Sequence, residues 1–224
     1  MQTINLFPTL VGIDTYSEHQ VFKKIFFEQL RLYTRQDGVT GEASGFVDLQ
    51  LNQQFEHFFK YVSSVANQYI RTLVGSDDVW DLWLVKSWYN NFAVPRHDHS
   101  DSHLSFTYYV NVPEGLDQPL HFVTPDENLN DLTKGMFLGE LNKPLAFERN
   151  QYNCASAAFP AIEGMLNVFP SRLQHFVEAP TRLPISEDPL DCRVSIAGDF
   201  VLTFKQTTPR SMGLQPVSNW RTFC

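Results

Sequence analysis

Three histidines, His97, His99 and His103, fall within seven residues, and His175 lies far downstream. His97 and His99 are separated by one residue. On a strand the side-chain period is two, so both rings would point to one face and Asp98 to the other. Two imidazoles side by side make half of a metal site, and imidazole suits Fe, Zn, Cu and Ni. A third ligand from a distant strand would complete a facial set. His175 is the natural candidate, because it follows a strand-like run, residues 165–169, that Gly164 opens and Pro170 stops. Any one of these histidines could equally be a hydrogen-bonded structural group, so the metal reading rests on the set.

A second constellation lies further on. Cys192, Val194 and Ile196 alternate with Arg193, Ser195 and Ala197, which puts Arg193 and Ser195 on one face of a strand. A buried guanidinium must meet an anion or a carboxylate, since an unpaired buried charge is too costly. Its planar fork, with a hydroxyl beside it, matches a carboxylate ligand. The plainer alternatives are a structural Arg–Asp or Arg–Glu pair, or an outward, solvated Arg.

The elements that must carry these groups differ along the chain. Residues 18–33 place Val21, Phe22, Ile25, Phe26 and Leu30 close to one helical face. Residues 53–74 form a longer amphipathic stripe with Asn52 as N-cap and Gly75 as stop. Beyond Gly75 short Val-, Ile- and aromatic-rich runs alternate with turns: residues 79–89, 104–112, 120–124, 164–169 and 192–204. That texture predicts a β-sandwich or barrel rather than βαβ units. Residues 125–160 are the least periodic stretch and read as a long loop of the kind that often carries function.

The 224 residues, 43% of them apolar and 14% aromatic, suit one folded domain and argue against disorder. A formal charge of −8 with no Lys/Arg block gives no electrostatic case for nucleic acid or an anionic membrane. Cys154, Cys192 and Cys224 are too few and too widely spaced for a disulfide framework. No apolar run approaches the roughly 20 residues a spanning helix needs. Residues 1–14 carry no basic segment ahead of an apolar one. A cytoplasmic location is the expectation (host cytoplasm, if the origin is viral).

From Trp88 to Phe200 the chain resembles the iron(II)- and 2-oxoglutarate-dependent oxygenases, and more narrowly a branch found in cyanophages and marine bacteria. The resemblance is carried by Trp88 and Asn90, His97 and His99, Tyr108-Tyr109-Val110, Phe169-Pro170-Ser171 with His175, and Arg193 with Ser195, all in order. It implies a mainly β fold with N-terminal helices: a double-stranded β-helix, or jelly roll, of cupin-like form. Residues 1–224 would make one oxygenase domain, with residues 1–75 as helical support and 76–224 as the jelly-roll core. His97, His99 and His175 would hold Fe(II). 2-Oxoglutarate would bind through Arg193, Ser195, Tyr109 and Asn90, with Tyr108 facing the other way. The implied activity is hydroxylation of a C–H bond in a peptide or small molecule, with release of succinate and CO2. Residues 125–160 would be the substrate-facing lid, and no nucleic-acid or membrane partner is expected.

Three departures from the family pattern matter. The usual His-x-Asp or His-x-Glu pair is His-x-His here, leaving open a shifted set of His99, Asp101 and His175. Three neutral imidazoles also leave the metal one negative charge short, so iron and 2-oxoglutarate should bind cooperatively. Phe106 stands where the branch has Gly, and a ring there could narrow the pocket. The His175–Arg193 spacing is long, which predicts a loop over residues 182–191. Two rivals remain: a cupin-like metalloprotein that does not use 2-oxoglutarate, and a non-enzymatic jelly-roll module. Cupins add a Glu soon after the His pair, and none occurs here between His99 and Glu114.

Overall fold

The amphipathic runs of the first third form two helices, α1 (His19–Asp37) and α2 (Glu56–Val74). A computed structural model describes residues 9–37, 47–75, 79–91, 93–123, 156–180, 188–207 and 213–223. A 3-10 turn, Gln53–Phe55, leads into α2, and the Asn52 side chain accepts the Gln54 N–H at 2.9 Å. Gly75 ends the helix at φ 75°, a left-handed conformation that costs glycine no Cβ clash.

Among the described residues, nine strands make two antiparallel sheets. One runs in the order β1 (Gly12–Thr15), β7 (Met165–Pro170), β4 (Leu104–Asn111), β9 (Val194–Phe204), β2 (Trp80–Asn90). The other runs β3 (Val94–His97), β8 (His175–Val177), β5 (Leu120–Val123), β6 (Ser156–Phe159). The long strands β2, β4, β7 and β9 were legible as apolar runs. The short strands β1, β3, β6 and β8 hold three or four residues each, too few to show a period. Of the stretch read as one loop, residues 125–160, the end is strand β6, which pairs with β5. Residues 124–155 lie outside the described residues, and the lid expectation lies there with them. Of the expected loop at 182–191, Pro189–Asp191 forms a 3-10 turn and residues 181–187 are not described.

Both helices cover the outer face of the five-stranded sheet. Phe22, Phe26, Phe58, Val62 and Ile70 pack there with Leu104, Phe106, Tyr108 and Val110 of β4, Leu166 and Val168 of β7, and Val194, Ile196 and Phe200 of β9. Every residue of β4 is buried, because the helices cover one face and the second sheet lies over the other. The two faces differ in chemistry. Leu104, Phe106, Tyr108 and Val110 go to the helices. Ser105, Thr107, Tyr109 and Asn111 go inward, none more than 8% exposed. Burying so much polarity is unfavourable unless it is bonded or reserved for a ligand.

Phe106 therefore does not narrow the inner pocket, contrary to the expectation from its sequence position. It sits on the helix side and pairs in register with Gly198. A Cβ at Gly198 would meet the Phe106 ring at 2.5 Å, so the ring occupies the space that glycine leaves. Bulk on one strand is matched by its absence on the next.

Candidate metal centre and cosubstrate pocket

His97 and His175 are direct cross-strand partners in β3 and β8. Their ring centres are 4.3 Å apart. His99 is not on a strand with His97, as alternation implied, because β3 stops at His97. It lies in the following turn and is fixed there by its backbone N–H, which donates to the Ser171 carbonyl at 2.8 Å. Ser171 is itself fully buried, and its hydroxyl meets those of Ser102 and Ser105, each at 3.0 Å. The Phe169-Pro170-Ser171 block thus holds the turn that aims His99.

Each of the three rings has its Nδ1 against an acceptor. His97 Nδ1 donates to the Pro95 carbonyl at 2.8 Å and His175 Nδ1 to the Leu173 carbonyl at 2.8 Å. His99 Nδ1 lies 2.7 and 2.8 Å from the two carboxylate oxygens of Asp199. Carbonyl and carboxylate oxygens only accept, so Nδ1 carries the proton on each neutral ring and every Nε2 presents a lone pair. His97 Nε2 and His99 Nε2 are 3.0 Å apart. Two lone pairs that close repel unless a cation lies between them. Two ligands each about 2.1 Å from a shared metal, at right angles, would stand about 3.0 Å apart. The ligand atoms of all three histidines lie within 4.8 Å of one another, so the donor set fits a metal held on one face.

Burial lowers the His175 pKa to about 4, only partly opposed by its bond to Leu173, so this ring is neutral and ready to ligate at physiological pH. Asp101, the alternative ligand, is turned away: its carboxylate is exposed and paired with Lys86 at 2.9 Å. His103 is also outside the cluster, where its Nδ1 accepts the Leu202 N–H at 3.1 Å.

Asp199 escaped sequence reasoning. It is fully buried and accepts from His99, from the Ser105 hydroxyl, and from Lys86 Nζ at 3.1 Å. Burial alone would raise its pKa, but these donors hold it below the usual carboxylate value. A carboxylate behind a ligating histidine fixes the tautomer and raises the ligand's basicity. The negative charge missing among the three histidines thus sits one bond further out. The signal was present in the sequence: Asp199 continues the Arg193, Ser195, Ala197 face of β9.

From the histidines the inner face of the sheet runs in cross-strand rows, one two-residue step apart, about 7 Å. Ser105 pairs with Asp199 and with Phe169. Next, Thr107 pairs with Ala197 and Asn167, and Trp88 pairs with Ala197. Then Tyr109 and Asn90 both pair with Ser195. The first row touches the histidine cluster: the Phe169 ring centre is 5.0 Å from that of His175, and Trp88 from the middle row is 5.7 Å from His99.

At the far end stands Arg193, one residue before β9. Asn111 holds the approach by donating from Nδ2 to the Leu190 and Cys192 carbonyls at 2.9 and 2.8 Å. The guanidinium lies over the Tyr109 ring, 5.1 Å from its centre. Arg193 Nε and Nη2 and the Tyr109 hydroxyl have no hydrogen-bond partner among the described residues. Arg193 is 6% exposed and Tyr109 fully buried. Burial raises the Tyr109 pKa against the pull of Arg193, so its hydroxyl stays protonated and can donate. Burial likewise draws Arg193 below its ordinary value, yet a guanidinium remains cationic. A buried cation and a buried donor without acceptors fit an anionic group. Ser195, whose hydroxyl reaches the Asn90 carbonyl at 3.4 Å, and Asn90 flank the same end. Tyr108 faces the helices, where its hydroxyl meets His19 Nδ1 at 2.7 Å.

A family model described as "Putative 2OG-Fe(II) oxygenase" matches residues 81–197, just over half the chain. The chain belongs to the 2OG-Fe(II) oxygenase family. Its cofactors are Fe(II) and 2-oxoglutarate. Among solved structures, this oxygenase is similar to SnoN, a non-heme α-ketoglutarate-dependent epimerase from nogalamycin biosynthesis. The TM-score is 0.54 at 13% identity over 94% of this chain and 92% of that one. AviO1 from Streptomyces viridochromogenes Tue57 gives 0.51 at 10% identity, over 92% and 93%. EctD from S. alaskensis, solved with 2-oxoglutarate and 5-hydroxyectoine, gives 0.52 at 12% identity, over 86% and 72%. These likenesses show the double-stranded β-helix fold. No curated protein matches the oxygenase. No helix among its described residues is long and apolar enough to cross a membrane.

Proposed function

We propose that this oxygenase hydroxylates a C–H bond of a small molecule or peptide, as one domain spanning residues 1–224. Fe(II) is held by Nε2 of His97, His99 and His175, and 2-oxoglutarate is anchored by Arg193 with Tyr109, Ser195 and Asn90. The observation that carries this reading is the combination of two features between the two sheets. Three imidazole lone pairs converge at one end, and at the other stands a buried guanidinium whose Nε and Nη2 have no acceptor among the described residues. A cupin-like metal site has no use for the second feature.

Bound iron and 2-oxoglutarate supply the activation of dioxygen. The chain's residues prepare for it. The Pro95 and Leu173 carbonyls and the Asp199 carboxylate orient the three rings and keep their protons on Nδ1. Arg193 and Tyr109 present preformed donors to the distal carboxylate, which fixes the direction in which the cosubstrate lies. Trp88, Phe169 and Phe122 wall the histidines and exclude water from the reacting centre.

The test is turnover of 2-oxoglutarate to succinate without added substrate, a slow reaction expected of a loaded site. His175→Ala should abolish succinate formation while the far-UV spectrum stays unchanged. Succinate formation that survives this substitution would remove the triad from the reaction. Identification of the product on a panel of small molecules and peptides then separates hydroxylation from another C–H outcome.

A further inference from the structure

Between the metal end and the Arg193 end of the pocket lies a residue that neither account uses. Asn167 is fully buried in the middle of β7. Neither its Nδ2 nor its Oδ1 has a hydrogen-bond partner among the described residues. Its neighbours in the strand, Leu166 and Val168, belong to the helix-side core. Asn167 therefore faces inward, between Met165 and Phe169. Met165 packs against Tyr109, and Phe169 stands 5.0 Å from His175, ring centre to ring centre. Asn167 thus occupies the step between the two ends, beside Thr107 in the register.

A buried amide with all its hydrogen bonds unmade is unfavourable, and an apolar residue would serve a core strand better. The strand is otherwise apolar on both sides of this position: Met165, Leu166, Val168 and Phe169. Arg193 Nε and Nη2, the Tyr109 hydroxyl and Asn167 Nδ2 are donors of this inner face without a partner among the described residues. They form one donor-rich floor, which suits a ligand carrying acceptors at more than one point along its length.

We propose that Asn167 is a further cosubstrate-binding residue, whose amide N–H donates to a carboxylate oxygen of 2-oxoglutarate from the middle of the pocket floor. The inference rests on the 2-oxoglutarate reading of the pocket. It adds a specificity element: ligands that bring no acceptor to this point leave the amide buried and unpaired, and are disfavoured.

The experiment measures 2-oxoglutarate binding by calorimetry to protein loaded with Co(II), which takes the iron site without turnover. Asn167→Leu should weaken 2-oxoglutarate about tenfold or more, leave Co(II) affinity unchanged, and raise the apo melting temperature, because an unpaired buried amide has been removed. Arg193→Ala is the benchmark. If Arg193→Ala weakens binding and Asn167→Leu does not, the Asn167 assignment is overturned and the cosubstrate reading stands. If neither weakens binding, the reading of the pocket fails with it. Should the Leu variant fail to fold, Asn167→Asp keeps the shape and decides. A carboxylate facing the dianion should weaken it further, and unchanged affinity refutes the proposal.

Discussion

Replacing Asp199 with Asn tests whether the charge behind His99 holds the metal site together. The carboxylate faces three donors at once: His99 Nδ1, the Ser105 hydroxyl and Lys86. An amide of the same shape has one oxygen and one NH2. If the oxygen serves His99, the NH2 is pressed against Lys86 or Ser105. If the NH2 turns to His99, that ring must accept at Nδ1 and move its proton to Nε2, which removes the lone pair the metal needs. Either way the ligand loses basicity or its tautomer. Loss of such an outer partner costs 10- to 100-fold in metal affinity, or about 1.4–2.7 kcal/mol. The assay is calorimetric titration of apo-protein with Co(II) at pH 7.5, with Asp101→Asn as control. The Asp101 carboxylate pairs with Lys86 and lies in solvent, so its variant should bind within about threefold of wild type. If Asp199→Asn also binds within threefold while keeping its melting temperature, the claim that Asp199 tunes the metal site is wrong.

Two further outcomes follow from the same contacts. Burial lowers both His19 and His175, His175 to about 4, so below the ordinary histidine value of 6.5 the unfolded chain takes up protons that the folded chain refuses. Apo-protein stability should therefore fall as pH drops from 6.5 toward 4, by about 2 kcal/mol at pH 5 from His175 alone. Urea unfolding at pH 7.5 and 5.0 checks this, and a slope that His175→Gln does not flatten would contradict it. Gly198→Ala places a Cβ 2.5 Å from the Phe106 ring and 2.7 Å from the Lys86 carbonyl. Overpacking of this kind should cost about 1–3 kcal/mol, and an unchanged urea midpoint would show that the strand pair gives way easily.

How much of this was legible in the sequence varied with the length of the signal. The two helices and the long strands carry enough apolar residues to show their period. Of the short strands that build the second sheet, β5 shows as the run 120–124 whereas β3, β6 and β8 do not, and β3 is the case with most consequence. His97 and His99 read as neighbours on one strand, yet the strand ends between them, and a serine-held turn delivers the second ring to the same point. Alternation along β9 carries Ser195, Ala197 and Asp199 on one face, with Arg193 one residue ahead of the strand, so two steps beyond Ser195 it reaches Asp199. Asn167 left no such trace, since one asparagine in an apolar strand gains meaning only when its unmet hydrogen bonds and its place between two sites are visible. Phe106 misled because the alternation that sets Tyr109 inward and Tyr108 outward was not carried two residues back, where it puts Phe106 on the helix side with Tyr108.

The most direct test of the account is an anaerobic Fe(II) titration with and without 2-oxoglutarate, watching the visible charge-transfer band of the chelate. The band should form, iron should bind more tightly with the cosubstrate than without it, and Arg193→Ala should weaken the band. Iron binding with no band would place the chain with metalloproteins that make no use of 2-oxoglutarate. Absence of iron binding would leave the three histidines a structural cluster and contradict the account outright.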